Sequence, residues 1–326
     1  MRLAISIALC AGALQGCNQT TAAAVPPDAS VPTGWTLISA GTTNLNAVSG
    51  VSDSALWVVG DHGVVGYWNG TKLLWETSGT TANLRGVWAL TADDAYAVGD
   101  AGTILQRTVS GWQQVAAGVT RQVLTGVWAD TTRVVAVGSN GTVILGGPMG
   151  YKLVPNTLGE NLFGVSGTAG GAVTTVGALG LVLQLNGTTL TRTPIPAFTK
   201  LLTGVATGSA NSYYVGQAGT VFRSDATGLN PVPGCPGTSL RSVSTVGANA
   251  WIVGWDGTIC EIVGQNATSF PYSDTRWFNG IYAASPTSLW VVGASGTLLH
   301  GLPINPDAGA GEAGAAESGA GDGGGP

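Results

Sequence analysis

Charge is scarce in this chain. Of 326 residues only 9% are Asp, Glu, Lys or Arg, while 44% are hydrophobic. That balance excludes a wholly disordered polymer, because such chains pair low hydrophobicity with high charge. Histidine (2), methionine (2) and cysteine (4) are also few. No Cys/His group has ligand spacing, so the sequence offers no metal site and implies no cofactor. Beyond the N-terminus there is no apolar run of about 18 residues, and so no membrane-spanning helix is read there. Between Gly34 and Leu302 no window of about 11 residues keeps a helical period. In that same stretch 12 acids face 11 bases. Near-neutrality argues against nucleic acid as a partner.

Glycine is what the chain has in excess, 52 residues, too many for a helical protein. Its placement is regular. A Gly closes an apolar run at Gly60, Gly99, Gly138, Gly177, Gly216, Gly254 and Gly293, every 38 or 39 residues. Other columns share the period. Upstream lies a Leu-x-small-Val strand beginning at Leu45, Leu84, Leu124, Leu162, Leu202, Leu240 and Phe278. Then come a polar turn, the apolar run, the pair Gly-x-x-Gly, a third run such as Thr103-Ile104-Leu105, and a more polar fourth run. Four short strands per repeat, seven times, predict an all-β, seven-bladed β-propeller of four-stranded blades. Blade faces pack on neighbouring blades, so consecutive apolar residues such as Trp57-Val58-Val59 are expected to be buried on both sides.

Read alone, one Gly-x-x-Gly could suggest a phosphate loop. Such loops open a helix whose N-terminal amides hold the anion. Here each pair leads into a strand, so the glycines are read as turn residues, suited to positive φ and to close backbone approach. The seventh repeat lacks a fourth strand, and "GWTLISA" at Gly34–Ala40 is similar to the fourth-strand stretch "GWQQVAA" at Gly111–Ala117. The N-terminal strand is therefore expected to close the last blade and leave no long open edge.

The ends of the chain are organised differently. Arg2 precedes the apolar segment Leu3–Ala13, as in an export signal. Leu14-Gln15-Gly16-Cys17 then resembles the lipobox of bacterial lipoproteins. The resemblance implies a signal peptide over 1–16, cleavage after Gly16, and acylation of Cys17. Asn18 fits passage to an outer membrane. Residues 17–33 read as a lipidated, Ala/Pro-rich tether, 34–302 as the propeller, and 303–326 as a disordered acidic Gly/Ala tail. An exported protein on a lipid anchor, in the periplasm or outer membrane and monomeric, is the expectation.

"YAVGDAGTILQRTVSGWQQV" (Tyr96–Val115) resembles the repeat of photosystem II assembly factor propellers and related bacterial neuraminidase-repeat-like proteins. The resemblance covers Gly34 to Leu302. It implies the propeller fold and a protein-binding role. Two features of the group are missing: Ser224-Asp225-Ala226-Thr227-Gly228 only echoes an Asp-box, and arginines are scattered rather than gathered in a patch.

Candidate functional residues follow from the propeller. The second-to-third-strand turns and the starts of the innermost strands share one face. They bring Asp61, His62, Asp100, Trp255 and Asp256 to that face, with Arg85 and Arg241 on the innermost strands and Arg276 and Trp277 in a connection between blades. Trp255 stands where most other repeats have Ala, Asp or Ser. It is either an exposed anchor for a partner or local cover packed on Trp277. The leading reading is a protein-interaction or assembly scaffold in the cell envelope. The alternative is a carbohydrate-binding or glycosidase-like propeller, but no catalytic set is assembled by the sequence. His62 and His300 read as solvated. Cys235 and Cys260 are either a disulfide, which export permits, or a loop cysteine and a buried free thiol.

Overall fold

A computed structural model describes residues 34–195, 198–236, 239–270, 272 and 275–302. Cys17, with the signal, tether and tail assignments, lies outside the described residues.

Seven antiparallel sheets of four strands each follow one another around a ring. Blade 1 is Leu45–Ser52, Ala55–Gly60, Val65–Trp68 and Leu73–Glu76, counted from the channel outward. The innermost strands of blades 2 to 7 are Leu84–Ala89, Leu124–Ala129, Leu162–Gly167, Leu202–Thr207, Leu240–Val246 and Phe278–Ser285. Blade 7 takes its outer strand from the N-terminal Trp35–Ser39, paired with Leu298–Gly301. The expected closure is therefore present. The fourth strands of blades 2 and 3 end at Gln114 and Leu153. The next residues still bond to the third strand, Val115 N–H to Ile104 O and Val154 N–H to Val143 O, before the chain turns inward.

The repeat columns are packing columns. Leu45, Leu84, Leu124, Leu162, Leu202, Leu240 and Phe278 are all buried, and the cores lie between blades. Fully burying one such side chain stabilises the fold by about 1.5–3 kcal/mol. The small residue two places later has a steric cause. A Cβ on Gly164 would lie 3.1 Å from the Gly204 Cα of the next innermost strand.

The Gly-x-x-Gly turns divide their labour in a way the sequence did not show. The first glycine is extended: Gly60 has φ −156°. It is small because a Cβ there would sit 2.2 Å from the Asn44 carbonyl. That same carbonyl accepts the N–H of Asp61, and the arrangement recurs in all seven blades. The second glycine has positive φ, 74° at Gly63. So does the residue before it: His62, Ala101, Asn140, Leu179, Ala218, Asp256 and Ser295 all have φ of 53–57°. The left-handed conformation therefore begins on a residue with a side chain, where it costs about 1–2 kcal/mol.

Candidate functional site

The candidate binding residues lie on the face carrying these turns, and of them Arg85 and Arg241 line the channel. The channel encloses about 630 Å³ and is walled by the innermost strands. Its mouth is ringed by the second residue of each strand: Asn46, Arg85, Thr125, Phe163, Thr203, Arg241 and Asn279. Four of these seven tie their blade to the next. Asn46 Nδ2 donates to Leu84 O (2.9 Å), Thr125 Oγ1 to Leu162 O (2.7 Å), Thr203 Oγ1 to Leu240 O (2.6 Å), and Asn279 Nδ2 to Leu45 O (3.0 Å). These are blades 1, 3, 5 and 7. On the alternate blades 2, 4 and 6 stand Arg85, Phe163 and Arg241, which make no such bond among the described residues.

The two arginines differ. Arg85 Nε and Nη2 reach both carboxylate oxygens of Asp100, which Asn83 Nδ2 also holds at 3.1 Å. Asp100 is thus committed within its own blade. Asp61 is the equivalent residue of blade 1 and is held by Asn44 (3.0 Å) and Asn46 (2.8 Å). His62 is exposed, and its backbone N–H donates to Asn83 Oδ1.

Arg241 has no carboxylate partner among the described residues. Its guanidinium lies 5.8 Å from the ring centroid of Trp255, within cation–π range. Its side chain is wetted by the channel, yet protein surrounds it at the mouth. Desolvation lowers its pKa from the usual arginine value, and the positive charge of Arg85 adds to the effect. It stays charged at any physiological pH.

Trp255 stacks on Trp277, with centroids 4.8 Å apart and planes 17° from parallel. Trp255 is half-buried by the stack, while Trp277, 51% exposed, carries the stack outward to solvent. The backbone fixes the pair: Trp255 N–H donates to Ser239 O, Gly257 N–H to Arg276 O, and Ala294 N–H to Trp277 O. Asp256 is exposed beside it in the left-handed position, and Arg276 is half-buried. The structure thus gathers Arg241, Trp255 and Trp277, pairs Arg85 with Asp100, and leaves Asp61 and His62 on blade 1.

Cys235 and Cys260 are joined as a disulfide, with Cα atoms 6.0 Å apart. It fastens the connection that leads from blade 5 to Leu240 and Arg241.

One cluster had no signal in the sequence. At the opposite face of the ring, Asp53 Oδ1 accepts from Trp290 Nε1 (2.8 Å) and Ser288 Oγ (2.5 Å). His300 Nε2 lies 2.9 Å from Ser288 Oγ, and its ring stacks on Trp290 at 4.0 Å. His300 is therefore packed and bonded rather than freely solvated. The residue types are those of a hydrolytic triad, but the wiring is not. In a triad the carboxylate holds the imidazole nitrogen that faces away from serine. Here Asp53 binds the serine itself and meets the same Nε2, at 3.4 Å. The cluster clasps blade 7 to blade 1.

No protein-family model matches this chain, and no curated protein does. Solved structures match in fold. A structure described as YCF48 bound to D1 peptide superimposes with a TM-score of 0.65 at 14% identity, over 87% of this chain and 99% of that one. YCF48 from Cyanidioschyzon merolae gives 0.65 at 16%, over 83% and 99%. A catalytically inactive virginiamycin B lyase from Staphylococcus aureus with quinupristin gives 0.71 at 12%, over 82% and 98%. The likeness runs the full length of those chains, and what it establishes is a shared β-propeller fold.

Proposed function

We propose that this chain is an exported, lipid-anchored propeller that holds a protein partner on the face carrying the Gly-x-x-Gly turns. One observation carries the reading: a guanidinium without a carboxylate partner among the described residues, Arg241, leads into the stacked pair Trp255 and Trp277, whose outer ring is open to solvent. Exposed tryptophan and arginine supply much of the binding energy at protein interfaces. The similar fold seen in YCF48 with its D1 peptide supports a peptide or protein ligand.

The anchor reading rests on Leu14-Gln15-Gly16-Cys17. Both described ends of the ring, Gly34 and Leu302, meet at its other face, where Leu302 N–H donates to Gly34 O. A tether leaving there places the site away from the attachment point.

Pull-down from detergent-solubilised envelope tests the partner site. Wild type should recover a partner that Trp255→Ala and Arg241→Ala lose. Equal recovery by all three overturns the site. Metabolic labelling with palmitate tests the anchor: label should be present in wild type and absent in Cys17→Ala.

A further inference from the structure

The seven connections between blades are unequal. From the end of each outer strand to the next innermost strand they span 77–83, 115–123, 154–161, 193–201, 232–239 and 270–277, that is seven to nine residues. The connection that closes the ring spans 40–44, only five. Five of the longer ones push a side chain into the seam between the blades they join. Val119 packs in the seam of blades 2 and 3, Leu158 in that of 3 and 4, and Phe198 in that of 4 and 5. Cys235 fills the seam of blades 5 and 6, and Tyr272 that of 6 and 7.

The closing connection brings only Ala40, Gly41, Thr42, Thr43 and Asn44. None of them joins the apolar cluster between blades 7 and 1. A cleft of about 290 Å³ remains there, lined by Ala40, Thr43, Leu45, Val64, Val65 and Trp75. Trp75 forms its outer wall and is 55% exposed. The sister seams show what fits such a space: bulky apolar side chains such as Leu158, Phe198 and Tyr272, carried on a connecting segment that crosses the seam. Gly296, in the blade 7 turn, also borders the cleft, so the cleft opens on the face of the proposed partner site, one seam along from Trp277.

We infer that the seam between blades 7 and 1 is a second docking site, and that its occupant is a peptide segment of another protein presenting bulky apolar side chains. The site shares a face with the Arg241–Trp255–Trp277 cluster but none of its residues, so the two stand or fall separately. Burying one such side chain is a gain of roughly ten- to a hundredfold in affinity.

The probe is a capped, fluorescein-labelled nonapeptide copying residues 193–201 of this chain, Thr-Pro-Ile-Pro-Ala-Phe-Thr-Lys-Leu. Anisotropy is measured against the full-length protein. Binding is expected, and should weaken about tenfold or more when the peptide's Ile and Phe are replaced by Ser. Thr43→Leu, which supplies the missing side chain, should weaken it as much while raising the melting temperature. Trp75→Ala is the second variant and should weaken it too. Trp277→Ala should leave it unchanged. The inference is overturned by no binding, by binding indifferent to Thr43→Leu and Trp75→Ala, or by loss of binding in Trp277→Ala. It is overturned as well if ultracentrifugation finds a dimer that Thr43→Leu dissociates, because the occupant is then a second copy. If the peptide binds only after the segment before Gly34 is removed, the occupant is the chain's own N-terminus.

Discussion

Asn279 and Leu45 are 234 residues apart, yet Asn279 Nδ2 donates to the Leu45 carbonyl at 3.0 Å. The bond repeats across the closing seam what Asn46, Thr125 and Thr203 do within the chain. The ring's ends are thus joined at the channel by this bond, at the opposite face by the Asp53–Ser288–Trp290 clasp, and at the rim by Trp35–Ser39.

Asn279→Ala should destabilise the protein by about 1–2 kcal/mol, because it leaves the Leu45 carbonyl without its donor. Deleting 34–40 should cost far more, since it removes the outer strand of blade 7. Thermal unfolding checks both. An unchanged melting temperature in the deletion would refute closure by that strand.

Leu179 is a branched apolar residue at φ 55°, and it is 55% exposed. Leu179→Gly removes the left-handed cost of about 1–2 kcal/mol and adds up to about 1 kcal/mol of unfolded-chain entropy. A net rise in stability of roughly 0.5–1 kcal/mol is expected. Calorimetry would show it as a rise of a few degrees. A fall would mean that Leu179 packs in a way its exposure hides.

Asp130 is the buried carboxylate of blade 3. It accepts from Thr132 N–H and Oγ1, Arg133 N–H and Nε, and the Gly170 N–H of the next blade. Burial alone would raise its pKa, but these donors outweigh it and hold the pKa well below the usual 3.8. A depressed folded pKa stabilises above the unfolded value, and the gain is lost as pH falls through the folded one. Asp130→Asn should therefore be less stable than wild type at neutral pH, and the gap should narrow as the pH falls below about 4. Melting temperatures across pH 2–7 test this, and a constant gap refutes it.

The disulfide closes a 25-residue separation. Chain-entropy estimates put its effect at about 3 kcal/mol. Cys235→Ala with Cys260→Ala should lower the melting temperature by several degrees. Intact mass should rise by two hydrogens on reduction of the unfolded wild type. No mass change would mean free thiols.

The repeating glycines were sufficient for the fold. Strand number, blade number and ring closure are all local statements: burial and turn geometry act within each repeat, and "GWTLISA" carries the fourth-strand pattern wherever it lies in the chain. The shared face of the candidate residues followed from the same period. Their partners did not. Nothing near Arg85 or Arg241 in sequence says that one meets a carboxylate and the other an indole. Nor does the column Asn46 to Asn279 announce that alternate members bridge blades, because each bridge spans a full repeat and depends on how two innermost strands abut. Nor does one repeat show why the second glycine must stay small: a Cβ on Gly63 would meet the Thr80 carbonyl of the connection to the next blade. Asp53 and Ser288 stand 235 residues apart and become neighbours only when the ring shuts. The sequence by itself determined the architecture, since period and burial are written in each copy. Only the tertiary structure decided which side chains are committed to holding the ring and which are left to face a partner, because that pairing is made between copies.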